Sequence, residues 1–326
     1  MKEKLRVMMV ASENDALPGG KVGGIGDVVR DVPVALAQAG CIVDVVTPAY
    51  GMFSRLPGAE HVRAFEIGFA GGMHRVDLYR VPAKVPVNGV SHWALELPGA
   101  FTPGGTSIYS NDPPTAPFAT DATKFACFCQ AVGTALVNGA LQTPDVIHLH
   151  DWHASFLLVL REYDPAFGSL KNIRTVYSIH NLALQGIRPL AGHASSLHAW
   201  FPMLAYRQET INDPRAPHCI NPMRAGINLA DKIHVVSPTY AEEILHPSAP
   251  ERGYVGAEGL QDDLVAAQAN GRLEGILNGC VYPERSYAAL SRRALAQLLD
   301  SEITALISKQ PTVDSALYVA HRRVES

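Results

Sequence analysis

The sequence predicts an α/β protein built on a doubly wound, mostly parallel sheet with helices on both faces. Short runs rich in Val and Ile alternate with helical patterns along most of the chain. The strand-like runs are almost continuously apolar, which is typical of parallel strands covered on both faces. The first unit is a strand at 5–11, a helix at 26–40 that stops at Gly40, and a strand at 41–48. It forms a βαβ unit whose crossover we expect to be right-handed.

Later parts of the chain continue this pattern with one interruption. Further strands, each followed by a helical pattern, are predicted at 145–150, 174–180 and 232–237. Residues 61–97 contain three runs typical of antiparallel strands, which predicts a hairpin-rich insertion or an extension of the sheet. Pro-, Gly- and Ser-rich composition predicts long surface loops at 98–120 and 247–262.

The pattern changes near residue 280, after which 284–309 and 313–325 look purely helical. We therefore predict one domain over 1–280 and a helical tail or linker over 281–326. A complete two-lobed protein would need a second sheet of similar size, and too few residues follow to build one.

Bulk composition narrows the class of protein. The 326 residues are 47% hydrophobic and 18% charged with a net charge of −4, which fits a globular protein with a large core. The absence of a Lys- or Arg-rich block argues against nucleic acid as a partner. Apolar runs of strand length argue against a membrane span, and the first residues lack a signal-peptide layout. Five scattered cysteines are predicted to be reduced thiols, so we expect a cytoplasmic protein.

A glycine-rich turn joins the first strand to the first helix. The segment LPGGKVGGIGDVVRDVP at 17–33 carries five closely spaced glycines, Gly19, Gly20, Gly23, Gly24 and Gly26. Such a turn lets backbone N–H groups approach a phosphate at a helix N-terminus. It is neither GxGxxG with a following ribose acid nor a P-loop, because Lys21 precedes Gly23, Gly24 and Gly26 and no GK[ST] follows. Spacing alone leaves a phosphate site and a tight structural connection equally open.

A second polar motif, HLHDWH at 148–153, closes one strand and opens a helix. Asp151 is a plausible N-cap for that helix. Alternation along the strand places His148 and His150 on one face, and His153 turns into the helix. This arrangement favours partners for sugar hydroxyls, or packed histidines, over metal ligands. Trp152 is either a core residue or a stacking surface for a sugar ring.

A third polar motif, SIHNLALQG at 178–186, again follows a predicted strand. His180 and Asn181 are expected to project into the same crevice as the first two motifs. A single His at a strand end is usually structural, but three polar motifs at three strand ends indicate a ligand site.

Two further segments are interpreted as structural. Residues 223–244 predict a helix, a buried strand and a second helix capped by Ser237 or Thr239. Asp262 and Asp263 are expected to be solvated in a loop. The sequence contains no GxSxG, HExxH, CxxC or DxD-type pair, so no metal site is predicted.

Together the motifs resemble those of bacterial glycogen synthases and plant starch synthases. KVGGIGDVV (21–29) resembles KTGGLGDV, HLHDWH resembles HxHDWH, and SIHNLALQG resembles TIHNLAYQG. MRAGINLADKIHVVSPTYAEEI (223–244) resembles KAGIxxADxVxTVSPTYAxEI, and the later GLQDDL and GILNG also match in order. The resemblance extends from about residue 5 to residue 280.

The resemblance implies a retaining glucosyltransferase of GT-B architecture, in which two Rossmann-like lobes face each other across a cleft. Such enzymes transfer glucose from a nucleotide sugar, usually ADP-glucose in bacteria, to the non-reducing end of an α-1,4-glucan, without a metal or other cofactor. The chain corresponds to the N-terminal, acceptor-side lobe alone. The C-terminal nucleotide-binding lobe is absent from it.

The resemblance also implies roles for individual residues. His180, whose carbonyl would face the anomeric centre, and Asp151 are the catalytic candidates. The donor-binding candidates are Lys21, Gly23, Gly24 and Asn181. The acceptor-binding candidates are Tyr109, Trp152 and Asp27.

Some positions depart from the family pattern. DATKF at 121–125 has Ala122 and Lys124 where the family has Asn and Arg, and NGCV at 278–281 lacks the acid of NGID. The Arg and Lys that the family's second lobe supplies to the diphosphate are missing. We therefore expect the isolated chain to be inactive or nearly so. The alternatives are a half-length, non-catalytic glucan-binding or regulatory protein and, less favoured, a nucleotide-sugar enzyme of another GT-B family.

Overall fold

The computed structural model describes residues 4–102 and 106–279, and beyond them residues 291, 293, 297 and 299–301. The chain divides into two compact units, residues 1–278 and 279–326. The predicted helical tail at 284–309 and 313–325 lies almost wholly outside the described residues. The few residues described within it include 293, 297 and 299–301, which are helical.

The described strands agree closely with the apolar runs of the sequence. In chain order they are β1 (Arg6–Val10), β2 (Ile42–Pro48), β3 (Glu60–Phe69), β4 (Gly72–Val81), β5 (Val90–Glu96), β6 (Val146–His150), β7 (Arg174–Ile179), β8 (Arg188–Pro189), β9 (Cys219–Ile220), β10 (Lys232–Val235) and β11 (Leu273–Gly275).

The described helices lie mainly between those strands. They are α1 (Gly24–Gln38), α2 (Ala119–Val137), α3 (Asp151–Tyr163), α4 (Leu197–Trp200), α5 (Gln208–Ile211), α6 (Pro222–Leu229), α7 (Pro238–Glu243) and α8 (Gln261–Ala269), with 3₁₀ turns at Phe53–Arg55, Gly99–Phe101, Pro165–Asn172 and Pro250–Arg252. Ser237 accepts a hydrogen bond from the N–H of Tyr240 and so caps α7, as predicted for one of two residues.

One sheet organises the first unit. In the described part of the chain it has nine strands in the order β11-β10-β7-β6-β1-β2-β5-β4-β3. The pairs from β11 through to β5 are all parallel, and β5–β4 and β4–β3 are antiparallel. The predicted mostly parallel sheet with an antiparallel extension is therefore confirmed. The third run expected to be antiparallel, β5, also pairs in parallel with β2 and so joins the two parts.

Alternation along β1 explains why both faces of the sheet carry helices. Val7 and Met9 pack with Ile25 and Val29 of α1 on one face. Met8 lies on the opposite face, in the larger core cluster that includes apolar residues of α2, α3 and α6. Because successive side chains of a strand point to opposite faces, an apolar run needs cover on both sides.

The expectation that Asp262 and Asp263 lie in a loop is wrong, and of the two only Asp262 is exposed to solvent as expected. Both lie in the first turn of α8, where negative charge is favourable. The Asp263 carboxylate accepts hydrogen bonds from the Arg224 guanidinium of α6, at 2.8 and 3.2 Å, and a third from the Asn228 amide at 2.9 Å. The predicted loop at 247–262 is thus shorter than expected and ends where α8 begins.

No helix among the described residues is both long enough and apolar enough to cross a membrane.

Candidate functional site

The three polar motifs meet where the strand order of the sheet reverses. β1 lies between β2 and β6, and β7 lies next to β6, so the carboxyl ends of β1, β6 and β7 are neighbours. A cavity of about 620 Å³ opens at this edge. Open α/β sheets bind ligands in the crevice at such a reversal. Residues predicted from all three motifs line it, namely Gly23, Gly24, Asp151, Trp152, His180 and Asn181, together with Tyr109.

Glu13, at the carboxyl end of β1, organises the glycine-rich turn. Its Oε2 accepts hydrogen bonds from the backbone N–H groups of Val22 (2.8 Å) and Gly23 (2.7 Å). A Cβ at Gly20 would lie 2.1 Å from the carbonyl oxygen of Asn14, so only glycine fits where the turn folds back. Part of the anion-binding capacity predicted for this turn is therefore already used by a carboxylate of the chain itself.

Tyr109 is fixed against the same carboxylate. Its hydroxyl donates to Glu13 Oε1 at 2.8 Å and lies 2.9 Å from Ser12 Oγ. Burial, with the nearby Glu13 carboxylate, raises the pKa of Tyr109, so the phenol stays protonated. The structure thus places Tyr109 in the wall of the cavity, beside the glycine-rich turn.

The sequence suggested that the side chain of Asp151 would cap α3. In the structure it does not. It is the first residue of the helix, has a φ of +53°, and is 3% exposed. Its Oδ1 accepts a hydrogen bond from the backbone N–H of His180 at 2.7 Å. The prediction of an N-cap failed because a partner 29 positions later in the sequence, at the end of the neighbouring strand, takes the carboxylate.

Burial changes the protonation of the groups on the cavity floor. It raises the pKa of Asp151 to about 7, against the opposing effect of hydrogen bonds from the backbone of His180 and Asn181. It also lowers the pKa of His180 to about 4. At neutral pH the site therefore offers a neutral imidazole and a carboxyl group that is poised between its two protonation states.

Trp152 packs beneath the cavity. It is 2% exposed, and its ring meets Phe118 and Phe125 edge-on, each with centroids 5.6 Å apart. Gly186, at a φ of +68°, comes so close that a Cβ there would lie 2.2 Å from the Trp152 ring. The sequence left open whether Trp152 is a core residue or a stacking surface for a sugar ring. The structure places it in the core, with its edge at the cavity.

Three other candidates lie in more exposed positions. Asn181 is exposed at the cavity, and its Oδ1 accepts a hydrogen bond from the N–H of Ala183. Lys21 and Asp27 pair with each other, with Nζ 2.6 and 2.7 Å from the two carboxylate oxygens. The hydrogen bond that Lys21 donates to Asp27 raises the pKa of Lys21. Neither residue lines the cavity, although Val22, next to Lys21 in the chain, does so.

The charges of the cavity are one-sided. Glu13, Asp121 and Asp151 line it, and no Lys or Arg does so in the part of the chain that the structure describes. Lys124, one of the departures from the family pattern, is 2% exposed behind Asp121 and donates to that carboxylate at 2.8 Å and to the Ile108 carbonyl at 2.6 Å. The cavity therefore suits hydroxyl groups better than it suits a diphosphate.

The histidines at the strand ends bind one another. His150 Nδ1 lies 2.9 Å from His180 Nε2, and Ser178 Oγ lies 2.7 Å from both His148 Nε2 and His234 Nδ1. Within the described residues, no group of three or more His, Cys, Asp or Glu side chains has a geometry that would hold a metal ion.

Sequence reasoning missed Glu13, Ser12 and Asp121. Glu13 and Ser12 directly follow the first strand in the segment ASEND, so their position at a strand's carboxyl end was a usable signal. Asp121 lies in the first turn of α2 and accepts two hydrogen bonds from the N–H of Ser110. No local pattern indicated that this turn would reach the cavity.

Comparisons with known proteins agree with the motifs. The family described as the starch synthase catalytic domain matches residues 6–266. The glycogen synthase of Gloeobacter violaceus is 34% identical over 276 residues, which cover 84% of this chain and 49% of that protein. The glycogen synthase of Clostridioides difficile is 32% identical over 284 residues, covering 85% and 53%. The chain thus spans about half the length of the curated relatives that it matches.

A solved structure shows the same fold. The catalytic domain of starch synthase IV from Arabidopsis thaliana superposes with a TM-score of 0.70 at 24% identity, covering 93% of this chain and 59% of that one. The sheet and its helices therefore form a lobe of the starch synthase type. Because the family match extends over most of its length, this chain belongs to the starch synthase catalytic domain family.

Proposed function

We propose that this chain is the N-terminal, acceptor-side lobe of a cytoplasmic glycogen synthase. The whole enzyme would transfer glucose from ADP-glucose to the non-reducing end of an α-1,4-glucan with retention of configuration. The isolated chain would bind glucan and catalyse little or no transfer. Family membership supports the reaction class, and the solved starch synthase IV was bound to ADP and acarbose, a nucleotide and a sugar-like ligand.

The charge of the cavity carries the proposal that half of the site is supplied elsewhere. Three carboxyl groups, one of them the poised Asp151, and no Lys or Arg line it in the described chain. A departing nucleoside diphosphate needs cationic groups or helix N-termini against its oxygens. Glu13 already occupies the N–H groups of Val22 and Gly23. A second lobe facing this cavity would have to bring the cations.

The proposed roles follow from position. His180 would contact the transferred glucose, with its carbonyl at the anomeric centre, and Asp151 would hold that backbone through the 2.7 Å hydrogen bond. Asn181, Gly23 and Gly24 would line the donor side. Lys21 would leave Asp27 for a donor phosphate when the cleft closes, because the two side chains are 45% and 38% exposed and so are free to move.

The acceptor side would be formed by rigid groups. Tyr109 is held by hydrogen bonds to Glu13 and Ser12, and Trp152 by its aromatic neighbours, so both keep their position before a sugar arrives. Preorganisation of this kind limits the entropy lost when a ligand binds. Asp27 would reach an acceptor only after releasing Lys21.

Isothermal titration of the chain with maltohexaose and, separately, with ADP-glucose tests the proposal. We expect maltohexaose to bind and ADP-glucose to bind weakly or not at all. Asp151→Ala should weaken glucan binding, whereas Glu66→Gln, which changes an exposed side chain on β3, should leave it unchanged. Tight binding of ADP-glucose would contradict the proposal that the diphosphate groups are missing. Full transferase activity of the isolated chain would contradict the assignment of a half-site.

A further inference from the structure

Two imidazole rings meet at the floor of the cavity. His150 ends β6 and is fully buried, and His180 directly follows β7 and lines the cavity. Their rings are nearly parallel, with centroids 5.2 Å apart, and Nδ1 of His150 lies 2.9 Å from Nε2 of His180. A hydrogen bond between two neutral imidazoles needs one ring to donate and the other to accept. The direction of this bond fixes where each ring carries its proton.

Neighbouring histidines form a second chain of hydrogen bonds, and burial favours the neutral form of their imidazole rings. His234 Nε2 lies 3.3 Å from the Ile276 carbonyl, an acceptor, so this nitrogen carries the proton of His234. Its Nδ1 therefore accepts from Ser178 Oγ, which in turn accepts from His148 Nε2. Burial lowers the pKa of His148 to about 3 and also lowers the pKa of His150 and of His234.

The surroundings of His150 Nε2 decide the direction of the hydrogen bond between His150 and His180. Nε2 of His150 is buried and has no hydrogen-bond partner among the described residues. If His180 donated, the proton of His150 would lie on this Nε2 and leave a buried N–H without an acceptor. If His150 donates through Nδ1, its Nε2 is only an unused lone pair. Buried N–H groups without partners are rarer in proteins than buried acceptors without partners.

We propose that His150 is a positioning residue that donates from Nδ1 to His180 Nε2 and thereby holds His180 in its Nδ1–H form, with that N–H presented to the cavity. In the described part of the chain, Nδ1 of His180 has no hydrogen-bond partner and is not among the buried unpartnered atoms, so it is the nitrogen that faces the cavity.

This assignment gives the site a donor where its other polar groups mainly accept. The side chains of Glu13, Asp121 and Asp151 offer carboxylate oxygens, whereas the Nδ1–H of His180 would donate to a hydroxyl oxygen of a sugar. That last step rests on the proposed function. The tautomer itself is a property of the free chain and does not depend on any ligand.

Nitrogen NMR of the imidazole rings measures the tautomer directly. The ¹⁵N-labelled chain would be examined without ligand by long-range ¹H–¹⁵N correlation, and the His180 signals would be assigned by their loss in His180→Gln. We expect His180 to show a protonated Nδ1 and an unprotonated Nε2. His180 protonated at Nε2 in the wild type would overturn the proposal.

Two variants of His150 separate donation from packing. His150→Phe keeps an aromatic ring in the stack and removes the donor, so we expect loss of the single Nδ1–H form of His180. His150→Asn places an amide N–H where Nδ1 stood and should restore it. An unchanged tautomer in a folded His150→Phe chain would contradict the proposal, and the wild-type spectrum decides if that variant does not fold. Failure to bind maltohexaose would count against the proposed function and leave this result intact.

Discussion

The side chain of Asp151 accepts a hydrogen bond from the backbone N–H of His180, with 2.7 Å between Oδ1 and N. The bond joins the first residue of α3 to the residue after β7, across two neighbouring parallel strands. A φ of +53° at Asp151 is a conformation that most side chains adopt at a cost. This contact therefore holds together two backbone segments that both line the cavity.

Asp151→Asn should change how stability depends on pH. Burial raises the pKa of Asp151 to about 7 in the folded chain, from 3.8 when unfolded. Between about pH 4 and pH 7 the folded state then binds the extra proton, so the wild type loses stability as pH rises through this range. The loss is at most about 4 kcal/mol, from about three pKa units. The asparagine amide keeps an acceptor for His180 and does not titrate.

The measurement is urea unfolding of wild type and Asp151→Asn at several values between pH 4 and pH 7.5. Titration of all other groups cancels when the two proteins are subtracted. The difference should move in favour of the variant as pH rises. A difference that stays constant with pH would show that the carboxyl group is not perturbed.

Gly186→Ala should destabilise the site through Trp152. The new Cβ would lie 2.2 Å from the Trp152 ring, and the φ of +68° is unfavourable for alanine. Overpacking and backbone strain together should cost about 2–4 kcal/mol of unfolding free energy. Gly168→Ala is the matched control, because nothing lies within 4 Å of its added Cβ, and it should change stability by less than about 0.5 kcal/mol. Equal urea midpoints for both variants would contradict this packing.

Lys124→Met should be strongly destabilising, because it leaves the buried Asp121 carboxylate without its cation. Lys124 is 2% exposed and donates to Asp121 at 2.8 Å. Removing one partner of such a pair costs about 3–5 kcal/mol. Denaturant unfolding of Lys124→Met, Asp121→Asn and the double variant should show a double variant less destabilised than the sum of the two.

The control for that pair lies on the surface. Lys171→Met breaks an exposed contact with Glu162 at 3.4 Å and should cost less than about 1 kcal/mol. Additive losses in the double variant at Lys124 and Asp121 would show that the two residues do not act as a pair.

Glu13→Ala should loosen the glycine-rich turn, since one Glu13 oxygen accepts from both Val22 and Gly23 and the other from Tyr109. The alanine side chain has no acceptor, so the N–H groups of Val22 and Gly23 both lose this partner. Hydrogen exchange of the Val22 and Gly23 amides should become about tenfold faster, which corresponds to about one hydrogen bond.

Tyr109→Phe provides the comparison for the turn. It removes only the hydroxyl that bonds to Glu13 and leaves the oxygen that holds the turn. Exchange at Val22 and Gly23 should then stay close to the wild-type rate. The same acceleration in both variants would mean that the turn depends on the cavity wall as a whole.

Much of the fold was predictable because its signals are local. The apolar runs at 5–11 and 145–150 and the helix pattern after the glycine-rich turn lie within a few residues of β1, β6 and α1. The parallel pairing of β5 with β2 was not predicted. Its alternating run resembles those of β3 and β4, and pairing direction depends on the path of the chain between strands.

The sequence predicted which motifs meet at the site, but it did not predict the hydrogen bonds between them. The sequence indicated that Asp151 and His180 would lie near the glycine-rich turn, because carboxyl ends of neighbouring parallel strands share one edge. It did not show that Asp151 would bond to the backbone of His180 instead of capping its own helix. Helix capping is predicted from residues close together in the sequence. Here the N–H that binds Asp151 belongs to His180, which is distant in the sequence and adjacent in the fold.

The fold class, the family resemblance and the meeting of the three polar motifs at one edge of the sheet follow from the linear sequence, because strand period, helix period and motif order depend on residues that are close together in the chain. The groups that Glu13 binds, the packing of Trp152 and the ring that His150 contacts depend instead on the three-dimensional arrangement of the chain. These are contacts between segments far apart in the chain, and their geometry depends on sheet order, burial and the competition of each polar group for its nearest partner.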